Sequence, residues 1–108
     1  KSTQLFKDYY DFTHKNKIDL VVFTLPFKQD FEISENNDFY KEMSTNFSKF
    51  GLNFYNLQPC YEEKFKNSNT EFKDYYWKID GHHNAKGYEM MAKCLEEIVT
   101  PMIEKRLH

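Results

Sequence analysis

No apolar run in these 108 residues approaches the ~20 that a membrane-spanning helix needs, so no span is expected. The chain also lacks the charged and apolar opening of a secretory leader: it begins at Lys1 and enters a helical pattern at once, and further sequence is expected to precede it. Neither sign of charge dominates. Fifteen Lys and Arg against 17 Asp and Glu, intermixed, give a formal charge of -2, which offers no field to a polyanion, and nucleic acid is not an expected partner. Cysteine is limited to Cys60 and Cys94, with no CxxC or metal-finger spacing around either. Two unpaired thiols are the expectation, and a disulfide between them is the alternative. Aromatic residues, by contrast, are plentiful. Eleven Phe and eight Tyr bring the aromatic share to 19%, which points to a packed core and argues against disorder.

Apolar periodicity divides the chain into alternating elements. Leu5, Phe6, Tyr9, Phe12 and Thr13 recur at helical spacing and predict an amphipathic helix over residues 3–16. The run Ile18-Asp19-Leu20-Val21-Val22-Phe23-Thr24-Leu25, closed by Pro26, reads as a strand covered on both faces in a parallel sheet. A polar stretch from Lys28 to Asn37 follows at the carboxyl end of that strand, where α/β proteins place ligands. Phe39, Tyr40, Met43, Phe47 and Phe50 mark a second helix, with Gly51 at the position that stops it. Leu52 to Leu57 forms another short strand, Tyr61 to Lys66 a short helix, and Asn67-Ser68-Asn69 a loop. A last helix runs from about Asn84, with Tyr88, Met91, Ala92, Leu95, Ile98 and Met102 on one face and Pro101 expected to kink or end it. Helix, strand, helix, strand is the rhythm of a right-handed parallel crossover, and the fold class is α/β.

The chemistry concentrates in Asp80-Gly81-His82-His83-Asn84-Ala85-Lys86-Gly87-Tyr88. If residues 79–83 are extended, Asp80 and His82 face one side and His83 the other. A carboxylate that accepts the Nδ1 proton fixes the imidazole tautomer and leaves Nε2 free as a general base. The simpler reading is a turn in which Asp80 caps local amides and His82 is merely exposed. Asn84 is expected to cap the last helix, and Gly87 to allow close backbone packing. Asp80, His82 and His83 are also possible metal ligands. Adjacent residues rarely aim at one ion, and neither His14 nor His108 has supporting spacing, so no metal or cofactor is expected. The aromatic run Tyr75-Tyr76-Trp77 could line an acyl or sugar pocket, with core packing the favoured role.

The string from Asp80 to Ala92 resembles the last conserved block of the SGNH (GDSL-type) hydrolases, in which an Asp and a His precede an Asn, a Gly and an apolar helix. The order of elements from the first strand to the closing helix resembles the C-terminal half of that fold. The resemblance implies a fragment of a three-layer α/β/α, flavodoxin-like sandwich with parallel strands, residues 1–108 being a single domain or the C-terminal portion of one. The commonest form of the block would pair Asp80 with His83. In the family the His stands two residues before the Asn and five before the Gly, and from Asn84 and Gly87 both counts land on His82. A two-residue step from Asp to His resembles the branch containing alginate-type O-acetyltransferases. The implied catalytic residues are therefore Asp80 and His82, with His83 a neighbour.

The nucleophile does not follow. Ser2, Ser34, Ser44, Ser48 and Ser68 all lack a Gly-Asp-Ser context, and Asn36-Asn37-Asp38 falls after the first strand, so it does not match the family's oxyanion asparagine. The serine is expected before Lys1, and the chain alone is not expected to hydrolyse an ester. Two parallel strands also make a poor sheet by themselves. A larger parent, partner strands from another copy, or a partly non-native arrangement of the isolated piece is therefore expected, with self-association of that piece as a consequence of the second. The expected function is the C-terminal part of an esterase or O-acyltransferase acting on an ester or acylated small-molecule or carbohydrate substrate. The alternative is a non-catalytic binding module that keeps the fold.

Overall fold

The computed structural model describes residues 2–32 and 38–107. The expected roles of Ser34, Asn36 and Asn37 lie outside the described residues. Among the described residues the protein is mostly helical with one pair of parallel strands, and it divides into two compact units.

The first unit is built on helix α1 (Ser2–Lys15), strand β1 (Val22–Thr24), helix α3 (Asp38–Ser48) and strand β2 (Phe54–Asn56). The α1 sequence offers two apolar stripes one residue apart. Phe6, Tyr10 and Thr13 are partly covered, whereas Leu5, Tyr9 and Phe12 are exposed, so only one stripe has a partner within the unit. Phe47 of α3 is the hub: its ring meets Phe6 at 4.8 Å, Phe54 at 5.5 Å and Phe50 at 6.0 Å between centroids. Burying an aromatic of this size contributes about 1.5–3 kcal/mol. Gly51 has a φ of +92° and lets the Leu52 amide reach back to the Phe47 carbonyl at 3.1 Å, so α3 is closed where the glycine predicted. The strands pair in parallel with Val22 opposite Phe54 and Thr24 opposite Asn56. Both are shorter than their apolar runs: among the described residues the ladder covers only Val22–Thr24 and Phe54–Asn56.

The second unit comprises helix α2 (Lys28–Glu32), helix α4 (Gln58–Ser68), a 3₁₀ turn (Phe72–Tyr75) and helix α5 (Ala85–Leu107). Part of the expected polar loop is thus α2, started by the Asp30 carboxylate accepting from the Phe27 amide at 2.6 Å. Phe31 sits among Phe65, Phe72, Tyr76 and Tyr61, with centroids 5.3–6.2 Å away. α4 is longer than expected. Pro59 in its first turn pre-sets the helical φ where no amide partner is needed, and Asn69, at φ +55°, ends it with an amide bond to the Phe65 carbonyl.

Three expectations are corrected in this unit. Cys60 and Cys94 are not separate thiols: they form a disulfide between α4 and α5, with Cα atoms 6.1 Å apart. The buried stripe of α5 is Gly87, Met90 and Cys94, so Tyr88 and Ala92 lie off its centre. Finally, Pro101 does not end α5, which continues to Leu107 with the proline inside it. A proline removes one amide donor, and a 23-residue helix tied down at Cys94 keeps its remaining bonds on both sides.

Candidate active site

The Asp80–Tyr88 segment is held in the second unit by a short antiparallel pairing. Tyr76 lies opposite His83, the Trp77 amide donates to the His82 carbonyl at 2.7 Å, and the Asn84 amide donates to the Tyr75 carbonyl at 3.0 Å. Lys78, Ile79 and Asp80 make the reversal, and Gly81 completes it at φ +74°, in the left-handed region that glycine enters at no steric cost. The Lys28 ammonium braces the turn by donating to the Lys78 carbonyl at 3.2 Å.

Asp80 and His82 meet here, but not as neighbours on an extended strand. Asp80 Oδ1 accepts the His82 backbone amide at 3.0 Å, an Asx-turn, and the same oxygen lies 3.4 Å from His82 Nδ1. The amide bond that caps the turn thus also brings the carboxylate to the Nδ1 edge of the ring. That amide, followed by the neighbouring imidazole, holds the Asp80 carboxyl below the usual carboxylate range. Both side chains are open to solvent, His82 at 75% and Asp80 at 59% exposure. Nε2, on the far side of the ring from Asp80, is left for a reacting group.

His83 is placed differently. It is buried, 7% exposed, with Nε2 2.8 Å from the hydroxyl of fully buried Tyr61. The rings of Tyr76, Tyr88 and Tyr61 pack around it at 4.7, 5.4 and 5.7 Å. Burial, and secondly the charge of His82, push its pKa down, so the ring is held neutral. Burial likewise pushes the Tyr61 and Tyr76 phenols up. An unfolded histidine binds its proton near pH ~6.5, whereas folded His83 does so only at lower pH. The stability that neutral His83 contributes is therefore fully present above pH ~6.5 and lost as the pH falls toward its folded pKa. Urea midpoints at pH 7.5 and 5.0 check this: the wild-type chain is expected to lose more than His83→Gln, which keeps a partner for Tyr61 but has nothing to titrate. Equal losses would contradict it.

The residues after His83 fix the segment onto α5. Asn84 Oδ1 accepts the Gly87 amide at 2.9 Å, the expected helix cap, and Asn84 Nδ2 reaches back to the Asp74 carbonyl at 2.9 Å. A Cβ on Gly87 would fall on the Tyr75 carbonyl oxygen and within 2.8 Å of His83 Cδ2, which accounts for the glycine in a helical first turn. The aromatic run divides: Tyr75 and Tyr76 are core, the latter donating to the Pro26 carbonyl at 2.7 Å, whereas Trp77 is exposed. Sequence reasoning missed Tyr61 as the partner of His83, since nothing links positions 22 residues apart until α4 packs on α5.

Of the serines, Ser48 and Ser68 donate to the carbonyls of Thr45 and Lys64, Ser68 also meets the Thr70 hydroxyl, and among the described residues neither has an acidic or imidazole partner. Asp80, His82 and His83 do not converge on one point, and among the described residues no three His, Cys, Asp or Glu side chains are grouped to hold a metal ion. No described helix is long and apolar enough to cross a membrane. Comparison with protein-family models, curated proteins and solved structures returned no match.

Proposed function

We propose that this chain supplies the Asp–His half of an SGNH-type acyl-transfer site, with His82 as general base and Asp80 as the carboxylate that orients it. The observation that carries the reading is the Asp80 Oδ1 to His82 Nδ1 approach of 3.4 Å beside a buried, already partnered His83. In the proposed reaction His82 Nε2 takes the proton from a serine Oγ as that oxygen attacks the ester carbonyl. The same proton then passes to the leaving alkoxide, which departs as an alcohol and leaves an acyl-serine. Water or an acceptor hydroxyl, deprotonated in turn by His82, attacks the acyl carbonyl; the acyl–Oγ bond breaks, the imidazolium returns the proton to the serine Oγ, and the acyl group leaves as an acid or a new ester. Asp80 stays ionised throughout and stabilises the imidazolium. Under this proposal the parallel strands and helices are part of a three-layer α/β/α sandwich, and the serine and oxyanion donors come from sequence other than residues 1–108.

The test is to treat the full-length protein with a fluorophosphonate probe and map the adduct by mass spectrometry. A single labelled serine outside the positions numbered here is the expected result. No labelled serine at all would overturn the proposal and favour a non-catalytic module with the same fold.

A further inference from the structure

We infer that the Asp80–Gly81 peptide is a self-modification site: the Gly81 nitrogen cyclises onto the Asp80 side chain, and water opens the ring to isoaspartate at position 80. The inference stands apart from the reading of His82 as a base, since the reaction needs only this chain and water. Sequence sets the first condition. Asp80 is followed by a glycine, whereas Asp8 and Asp74 precede Tyr, Asp11, Asp30 and Asp38 precede Phe, and Asp19 precedes Leu, side chains that crowd the attacking nitrogen. Structure sets the others. The Asp80 side chain is exposed, and its Oδ1 bond to the His82 amide folds the carboxyl back along the Asp80–Gly81 peptide. Gly81, at φ +74°, presents its nitrogen with no Cβ beside it. Among the described residues the Gly81 amide donates to no acceptor, so no bond has to break to free it. Asp8 and Asp11, by contrast, lie inside α1, where the following amide is held in the helical ladder.

In the acid form of Asp80, the Gly81 nitrogen bonds to Cγ, and a carboxyl oxygen leaves as water with the amide hydrogen, which gives a succinimide. The reacting atoms belong to adjacent residues, so no encounter has to be arranged. Water then adds to one of the two ring carbonyls. Opening at the Cγ carbonyl restores aspartate. Opening at the main-chain carbonyl routes the chain through Cβ and Cγ, one methylene longer, and leaves the free carboxylate on Cα. The His82 amide holds the carboxyl below the usual carboxylate range, which keeps the acid form scarce and makes the conversion an ageing reaction. A lengthened turn with a displaced carboxylate loses both the 3.0 Å bond to the His82 amide and the 3.4 Å approach to Nδ1. His82 is thereby separated from its acidic neighbour as the protein ages.

The experiment ages the full-length protein beside a synthetic peptide spanning residues 76–86 at pH 6 and 37 °C, with weekly digestion and mass spectrometry. Isoaspartate at position 80 is assigned by resistance of the Ile79–Asp80 bond to Asp-N protease. Its new carboxylate should also accept a methyl group from S-adenosylmethionine through isoaspartyl methyltransferase. In the folded protein, conversion at Asp80 is expected within about tenfold of the peptide's rate, as for an exposed turn that no cooperative unit protects. A species lighter by one water should precede it, while Asp8, Asp11 and Asp74 stay unconverted. An Asp80 that remains intact in the folded protein while the peptide converts overturns the inference, as does equal conversion at the helical aspartates. Neither readout involves fluorophosphonate labelling, so this failure and that of the catalytic reading are distinct.

Discussion

Reduction of the Cys60–Cys94 disulfide is expected to remove about 4 kcal/mol of stability, the chain-entropy value for a closed loop of this length. The sequence separation is 34 residues, and the bond joins a half-buried Cys60 on α4 to a buried Cys94 on α5. Tyr61, Asp80, His82, His83, Asn84 and Gly87 all lie inside that loop: Tyr61 one residue after the first cysteine, then the turn bearing Asp80 and His82, then Asn84 capping the helix that carries Gly87 and the second cysteine. Opening the bond therefore frees both ends of the segment at once. Guanidinium unfolding with and without dithiothreitol measures the difference, and Cys60→Ala/Cys94→Ala should behave like the reduced wild type. A midpoint unmoved by reduction would show that α4 and α5 hold together without the crosslink. A marginally stable unit of this size is expected to reach its folded form efficiently only under conditions that oxidise thiols.

Gly87→Ala is expected to cost about 3 kcal/mol, at the upper end of what overpacking a buried position does. The added methyl would meet backbone rather than a movable side-chain end. It would fall on the Tyr75 carbonyl oxygen, which accepts the Asn84 amide at 3.0 Å, and lie 2.9 Å from His83 Cβ. Relief requires α5 to withdraw from the Tyr75–Trp77 segment, which loosens the pairing that holds the Asp80–His82 turn. Two readouts should move together: the urea midpoint falls, and the ring protons of His83 shift toward solvent-like positions in the NMR spectrum. Gly81→Ala is a useful contrast, because its Cβ meets only Lys28 Cβ at 3.8 Å and its cost comes from the left-handed backbone alone.

The helices with long apolar periods were legible in the sequence, and so was the pairing of two parallel strands. The misplaced details share a cause, which is that periodicity states how residues repeat without saying which partner covers them. In α1 two stripes fit the same period and only the one with Phe6 and Tyr10 is covered. In α5 the buried line is Gly87, Met90 and Cys94, one residue from the bulkier line, because a glycine is what lets the helix close on the Tyr75 carbonyl. The disulfide was not legible because its two residues belong to different helices and have no local motif. At the site, counting from Asn84 and Gly87 singled out His82, and alternation sent His83 the other way. The turn had been offered as the simpler of two readings and is what forms: Asp80 reaches His82 through an Asx bond and a left-handed Gly81, and the extended segment of the other reading is absent.

The division of labour between the adjacent histidines is the central claim, and the rate of fluorophosphonate labelling in the full-length protein measures it most directly. His82→Ala is expected to slow labelling by about 10²- to 10⁴-fold, the usual contribution of a general base. His83→Gln, which preserves a hydrogen-bonding partner for Tyr61, should remain within a few-fold of wild type at pH 7.5. Labelling that survives His82→Ala and is lost in a folded His83→Gln would contradict the account and assign the base to the buried ring.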